Sequence, residues 1–141
     1  MLRFGRTAEV QGGDRLGLEP REQADAIVKA AYDRRALDIV LMDMRRVTTI
    51  CDYFVICHGR SPQHLEAVRE EIEEQLQEAG VRPGHVEGDR RAQWVVMDYL
   101  DVVVHIFTEE TRRIYDLERL WADAEIVAAM ETEQDEPGSG G

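Results

Sequence analysis

Positive charge is scarce in this chain. Lys and Arg number 17 against 29 Asp and Glu, a formal net charge of −12. Binding naked nucleic acid requires cations clustered against phosphates, and the sign here is the opposite one. A basic surface on a partner protein suits it better, through steering and complementarity. Long apolar runs are missing as well. Val95-Val96-Met97 and Val102-Val103-Val104 fall far short of the 18 or so residues that span a bilayer, so no membrane-spanning protein is expected. Two cysteines, Cys51 and Cys57, do not make a disulfide framework. Met1-Leu2-Arg3-Phe4 opens no apolar signal region, so a reducing cytoplasm is the expected setting.

What remains is the composition of one ordinary globular domain, with 141 residues, 43% of them hydrophobic and 33% charged. Residues 1–17 show no sustained apolar period and read as a flexible leader. Residues 124–141 carry several acids and no Lys or Arg, then close in Pro137-Gly138-Ser139-Gly140-Gly141, and read as a largely disordered acidic tail. The folded domain is therefore assigned to residues 18–123. Within it a helix is predicted from Pro20 to Arg34, followed by strands over Leu37–Asp43 and Asp52–Cys57. Ser61 and Pro62 cap and open the clearest helix, whose stripe Leu65, Val68, Ile72, Leu76 and Ala79 ends at Gly80. A short edge strand near His85–Gly88 precedes two strands, Gln93–Tyr99 and Asp101–Phe107, joined tightly and so antiparallel. Helical turns over Glu109–Trp121 complete an α/β fold, a mixed β-sheet of about five strands covered by helices.

Four features invite a chemical reading. Cys51, Cys57, His58 and His64 suggest a metal site, but six residues of strand separate the thiols by roughly 20 Å, whereas two thiolates on one zinc sit within about 4 Å. Structural cysteines and polar loop histidines are the simpler account. Gly59-Arg60-Ser61 stands between a strand and a helix, as a phosphate loop would, yet lacks the glycine spacing or the Gly-Lys-Ser/Thr of such loops. Asp98 and Asp101 flank a turn and could hold magnesium, but no third carboxylate or phosphate clamp accompanies them. His105 alternates with apolar neighbours on a central-looking strand and is expected to make a structural hydrogen bond. No catalytic set can be assembled, so no enzyme and no cofactor are expected. Trp94, Tyr99, Tyr115 and Trp121 interleave with Asp98, Asp101, Asp116 and Glu118. Trp121 reads as core; Trp94 and Tyr99 suit either the core or a hot spot for a basic protein.

Three stretches resemble the ribosomal silencing factor family, RsfS, also called Iojap. They are Asp52–Ser61, Glu87-Gly88 with Trp94–Phe107, and Arg112–Trp121, in the family's order and covering about residues 19–124. The resemblance implies a nucleotidyltransferase-like topology without that superfamily's catalytic carboxylates. It also implies a non-enzymatic role: binding the large ribosomal subunit through its protein number fourteen, blocking subunit joining, and lowering translation when nutrients run short. Organellar relatives act in large-subunit assembly, and free members are homodimers. Position by position, Trp94, Asp98, Tyr99 and Asp101 match the strand-turn signature, and His105 matches the Val-Val-His segment. Arg112, Tyr115, Leu117, Glu118, Leu120 and Trp121 match the C-terminal pattern. The resemblance thus assigns partner binding to Trp94, Asp98, Tyr99, Asp101, His105, Arg112, Tyr115 and Glu118. Two positions depart from the family: Leu100 stands where Gly is usual, and His58 where Ser is frequent. A tight primed turn would force positive φ on Leu100, so another turn type is expected there.

Overall fold

The computed structural model describes residues 18–88 and 91–131. The first helix, α1 (Pro20–Asp33), begins with Pro in its first turn, and the Glu19 N–H donates to the Glu22 carboxylate at 2.9 Å. Strands β1 (Leu37–Asp43) and β2 (Tyr53–Gly59) follow, then α2 (Pro62–Glu78). Ser61 Oγ accepts from the His64 N–H at 3.1 Å, the expected cap. Next come β3 (His85–Glu87), β4 (Trp94–Asp98) and β5 (Val102–Thr108), the short helices α3 (Glu109–Tyr115) and α4 (Leu117–Leu120), and β6 (Glu125–Met130).

The six strands form one mixed sheet in the order β3-β4-β5-β2-β1-β6. Only β2 and β5 run parallel, with α2 lying in the connection between them. Side chains alternate across the pleat, so the sheet has two distinct faces. The first is covered by α1 and α2. Ala24, Ile27, Ala30 and Ala31 of α1, and Leu65, Val68, Ile72 and Leu76 of α2, are buried against Ile39, Leu41, Val55, Met97, Val104 and Ile106. The second face carries a smaller core of Val40, Met42, Ile56, Phe107, Leu117 and Ala124, with Phe54, Trp94, Val103 and Trp121 packed partly against it. Helices α3 and α4 shield only part of this face.

Two expectations need correction. Glu125–Met130 is not disordered; it is a sixth strand, antiparallel to β1, with Ala128 opposite Leu41 and Ala129 opposite Val40. The acidity of the whole stretch concealed the apolar run Ile126-Val127-Ala128-Ala129-Met130, which satisfies backbone groups along β1. The leader (residues 1–17) and the tail beyond Glu131 lie outside the described residues. Leu100 does adopt positive φ, 76°. Its peptide neighbours close a γ-turn, with the Asp101 N–H donating to Tyr99 O at 3.0 Å and the Tyr99 N–H to Val102 O at 2.9 Å. Leu100 is 70% exposed, so little packing offsets this strain. Leu100→Gly is expected to raise stability by about 1 kcal/mol, read as a higher denaturant midpoint. An unchanged or lower midpoint would mean the turn carries no strain.

Candidate partner-binding face

The uncovered part of the second face is built from strand parity. Trp94, Val96 and Asp98 of β4 stand opposite Phe107, His105 and Val103 of β5, and Phe54 of β2 stands opposite Val103. All six of the β4 and β5 residues therefore point the same way. Aromatic rings dominate this strip. Trp94 stacks on Phe107 with centroids 5.0 Å apart, and Tyr115 of α3 leans on Trp94 at 4.5 Å. Phe54 meets His105 edge-on at 4.7 Å and Trp121 edge-on at 6.0 Å. Trp94, Val96, Val103 and Phe54 are half-buried, and Tyr115 is exposed. Such rings are amphipathic, stiff and already held in place by one another.

Carboxylates flank one end of the strip. Asp98 is half-buried and spends one oxygen on the turn, accepting from the Leu100 N–H at 2.8 Å. Asp101 is exposed, and its carbonyl accepts from the N–H groups of Asp52 and Tyr53, which draws Asp52 to the same corner. An aromatic strip beside three acids fits a basic, partly apolar protein surface.

His105 makes the structural hydrogen bond the sequence suggests: Trp94 Nε1–H donates to its Nδ1 at 3.2 Å. An indole nitrogen only donates, so the neutral imidazole keeps its proton on Nε2, which is buried without a partner among the described residues. Burial pushes the His105 pKa down to about 4. The folded value thus lies below the ordinary 6.5, and between the two the unfolded chain binds the extra proton. Stability from this group is complete above about pH 6.5 and declines toward pH 4, by about 3 kcal/mol in all. His105→Gln should flatten the stability–pH curve in that window; an equally steep curve would exonerate His105.

The other assigned residues lie elsewhere. Tyr99 follows Asp98 by one position, so it turns to the helix-covered face, where it is buried and its hydroxyl finds no described partner. Arg112 is buried, not presented outward. Its Nη2 donates to Glu118 Oε2 at 2.8 Å, and its Nη1 donates to His58 Nδ1 at 2.9 Å and faces Leu37 O at 3.4 Å. Thus Trp94, Asp98, His105 and Tyr115 share one face, Asp101 stands at its corner, and Arg112 with Glu118 forms an internal clasp. Phe54, Val96 and Val103 were not singled out from sequence, although their alternation with core residues placed them on this face.

The rival chemistries find their groups already engaged. His58 is not a loop residue: it belongs to β2 and is 6% exposed, its pKa lowered by burial and by the Arg112 charge. His64 Nδ1 accepts from the Arg60 N–H at 3.0 Å, and its Nε2–H donates to Arg34 O at 2.8 Å. A Cβ at Gly59 would come within 2.9 Å of Leu65 Cδ1, so this glycine lets α2 approach the strand. Cys57 and Cys51 belong to the cores on opposite sides of the sheet, and burial pushes both thiols up to about 12. No group of metal-ligating side chains gathers among the described residues, and none of their helices is long and apolar enough to cross a membrane.

Comparison with known proteins places the chain in a family. A protein from Bacillus subtilis named ribosomal silencing factor RsfS is 43% identical over 98 residues, 70% of this chain and 83% of that protein. The mouse protein named mitochondrial assembly of ribosomal large subunit protein 1 is 28% identical over 117 residues, 81% of this chain but 51% of its own length. The crystal structure of a protein from Chromobacterium violaceum matches with a TM-score of 0.72 at 30% identity, covering 74% of this chain and 88% of that one. The family model described as ribosomal silencing factor during starvation matches residues 18–139, and the chain belongs to that family, RsfS.

Proposed function

We propose that this protein silences translation by occupying the large ribosomal subunit where the small subunit would dock. It binds through the large subunit's protein number fourteen, a basic partner, and transforms no substrate. The observation that carries this reading is the strip of Trp94, Val96, Val103, Phe54 and Tyr115, left uncovered by helices and flanked by Asp98, Asp101 and Asp52. Aromatic anchors in a dry centre with acids at the rim are what a hot spot for a basic surface requires. With a net charge of −12, electrostatic attraction speeds arrival, and association slows as salt rises. The protein works in the cytoplasm, and in the absence of ribosomes it pairs with a second copy of itself. Sedimentation with purified large subunits tests the reading: co-migration that is lost on adding excess isolated protein fourteen supports it. Failure to co-migrate, or co-migration indifferent to that competitor, overturns it. Assembly of the large subunit is a second reading, favoured by the likeness to the mouse protein, and it uses the same contact at an earlier stage.

A further inference from the structure

Two large apolar side chains project from one end of the sheet. Ile50, in the β1–β2 loop, is 81% exposed, and Leu100, in the β4–β5 turn, is 70% exposed. Local hydrogen bonds fix both positions. The Ile50 N–H donates to Thr48 Oγ1 at 3.1 Å, and the Leu100 N–H donates to Asp98 Oδ1 at 2.8 Å. The loop and the turn are also tied to each other: Asp101 O accepts from the Asp52 N–H at 2.7 Å and from the Tyr53 N–H at 3.1 Å. Ile50 precedes Asp52 closely and Leu100 precedes Asp101 directly, so both apolar tips are carried on one braced corner. A surface that is already rigid loses little freedom when a partner covers it.

The conformation of Leu100 adds weight to this corner. The pairing of β4 with β5 imposes a φ of 76°, where leucine is strained and glycine is not, and the side chain is left in solvent. A strained residue whose side chain does little inside the fold points to a contact outside it. The corner also lies where the aromatic strip ends. Val103 stands between Phe54 and Asp98 in the adjacent strands, and the preceding Val102 pairs with Tyr53. Acids predominate here: Asp43, Asp52, Asp98 and Asp101 stand against Arg45 and Arg46, and Arg45 is held on Asp43 at 2.7 Å. Apolar tips among carboxylates fit the same kind of occupant as the strip, a basic protein surface with an apolar recess.

We infer that Leu100 and Ile50 are two apolar prongs that enter recesses of the basic protein covering the aromatic strip, and that Leu100 sets part of the docking affinity. The inference rests on the ribosomal reading for the identity of the partner, and on the geometry of this corner for the contact. Fold and complex then make opposite demands on one residue. Removing the Leu100 side chain relieves the turn and strengthens the fold, and it weakens the complex.

The test is a co-sedimentation titration of the full chain with purified large subunits, paired with chemical denaturation of the same variants. Leu100→Gly should bind about tenfold more weakly while its denaturant midpoint rises; Ile50→Ser should bind about tenfold more weakly with an unchanged midpoint. Leu100→Met keeps an apolar tip and should bind as the unaltered chain does. If the unaltered chain binds and both Leu100→Gly and Ile50→Ser bind equally well, this inference falls and the ribosomal reading stands. If the unaltered chain does not bind, both fall. Weakening by Leu100→Met as large as that by Leu100→Gly would also overturn the inference, because turn geometry and not apolar area would then be responsible. Self-association that Leu100→Gly abolishes without a change in subunit binding would assign the prongs to a second copy instead.

Discussion

Trp94→Ala is expected to bind large ribosomal subunits at least thirtyfold more weakly than the unaltered chain, a loss of roughly 2 kcal/mol or more. The indole is the ring that Phe107, Tyr115 and His105 all contact, and it is held half-exposed at the middle of the strip. Truncation removes the anchor and leaves Tyr115 without its support. Some folding stability goes with it, because the Trp94–His105 hydrogen bond and the stacking on Phe107 also disappear. Trp94→Phe separates the two effects: it keeps a ring against Phe107 while losing the N–H, so it should retain much of the docking and show a disturbed His105. Equal subunit binding by folded Trp94→Ala would remove the strip from the contact.

Arg112→Met is expected to act on stability instead, lowering it by about 3 kcal/mol. The substitution leaves Glu118 without its cation and His58 Nδ1 without its donor, and it releases a side chain that links β2, α3 and α4. Glu118 is about one-third exposed, so water recovers part of the loss, which is why the lower end of the range for broken buried pairs applies. Chemical denaturation should show the midpoint falling, while the folded fraction binds subunits with unaltered affinity. Affinity that falls while the midpoint holds would return Arg112 to the docking surface, where the family resemblance alone had placed it.

These opposed outcomes for two residues of the same motif set mark how far the sequence was legible. Helix α2 was readable because Ser61, Pro62 and the stripe Leu65, Val68, Ile72, Leu76 and Ala79 are local signals; the first four stripe residues are buried, and Ala79 is the half-buried residue that ends the helix. The sequence reading grouped Trp94, Asp98 and Tyr99 as docking residues, although strand parity puts Tyr99 on the face opposite the other two. It could not say which face the long helices would cover, and that alone makes Tyr99 a core residue. His58 was opaque for another reason: its burial and tautomer are set by Arg112, 54 positions away, and no short-range pattern records such a contact. Strand β6 was hidden by averaging, as five apolar residues were weighed together with the acids around and beyond them. Leu100 shows the converse error. Its residue type argued against positive φ, but the pairing of β4 with β5 fixes the turn and imposes that conformation regardless.

The proposed activity is occlusion of one ribosomal subunit by a small acidic protein. It is tested most directly by mixing purified large and small subunits with increasing amounts of this chain and measuring the fraction of joined ribosomes on a gradient. Joined particles should decline in proportion to protein bound on the large subunit, and Trp94→Ala should leave them at the level seen with no protein added. Joined ribosomes that persist while the large subunit is saturated with this protein would contradict it.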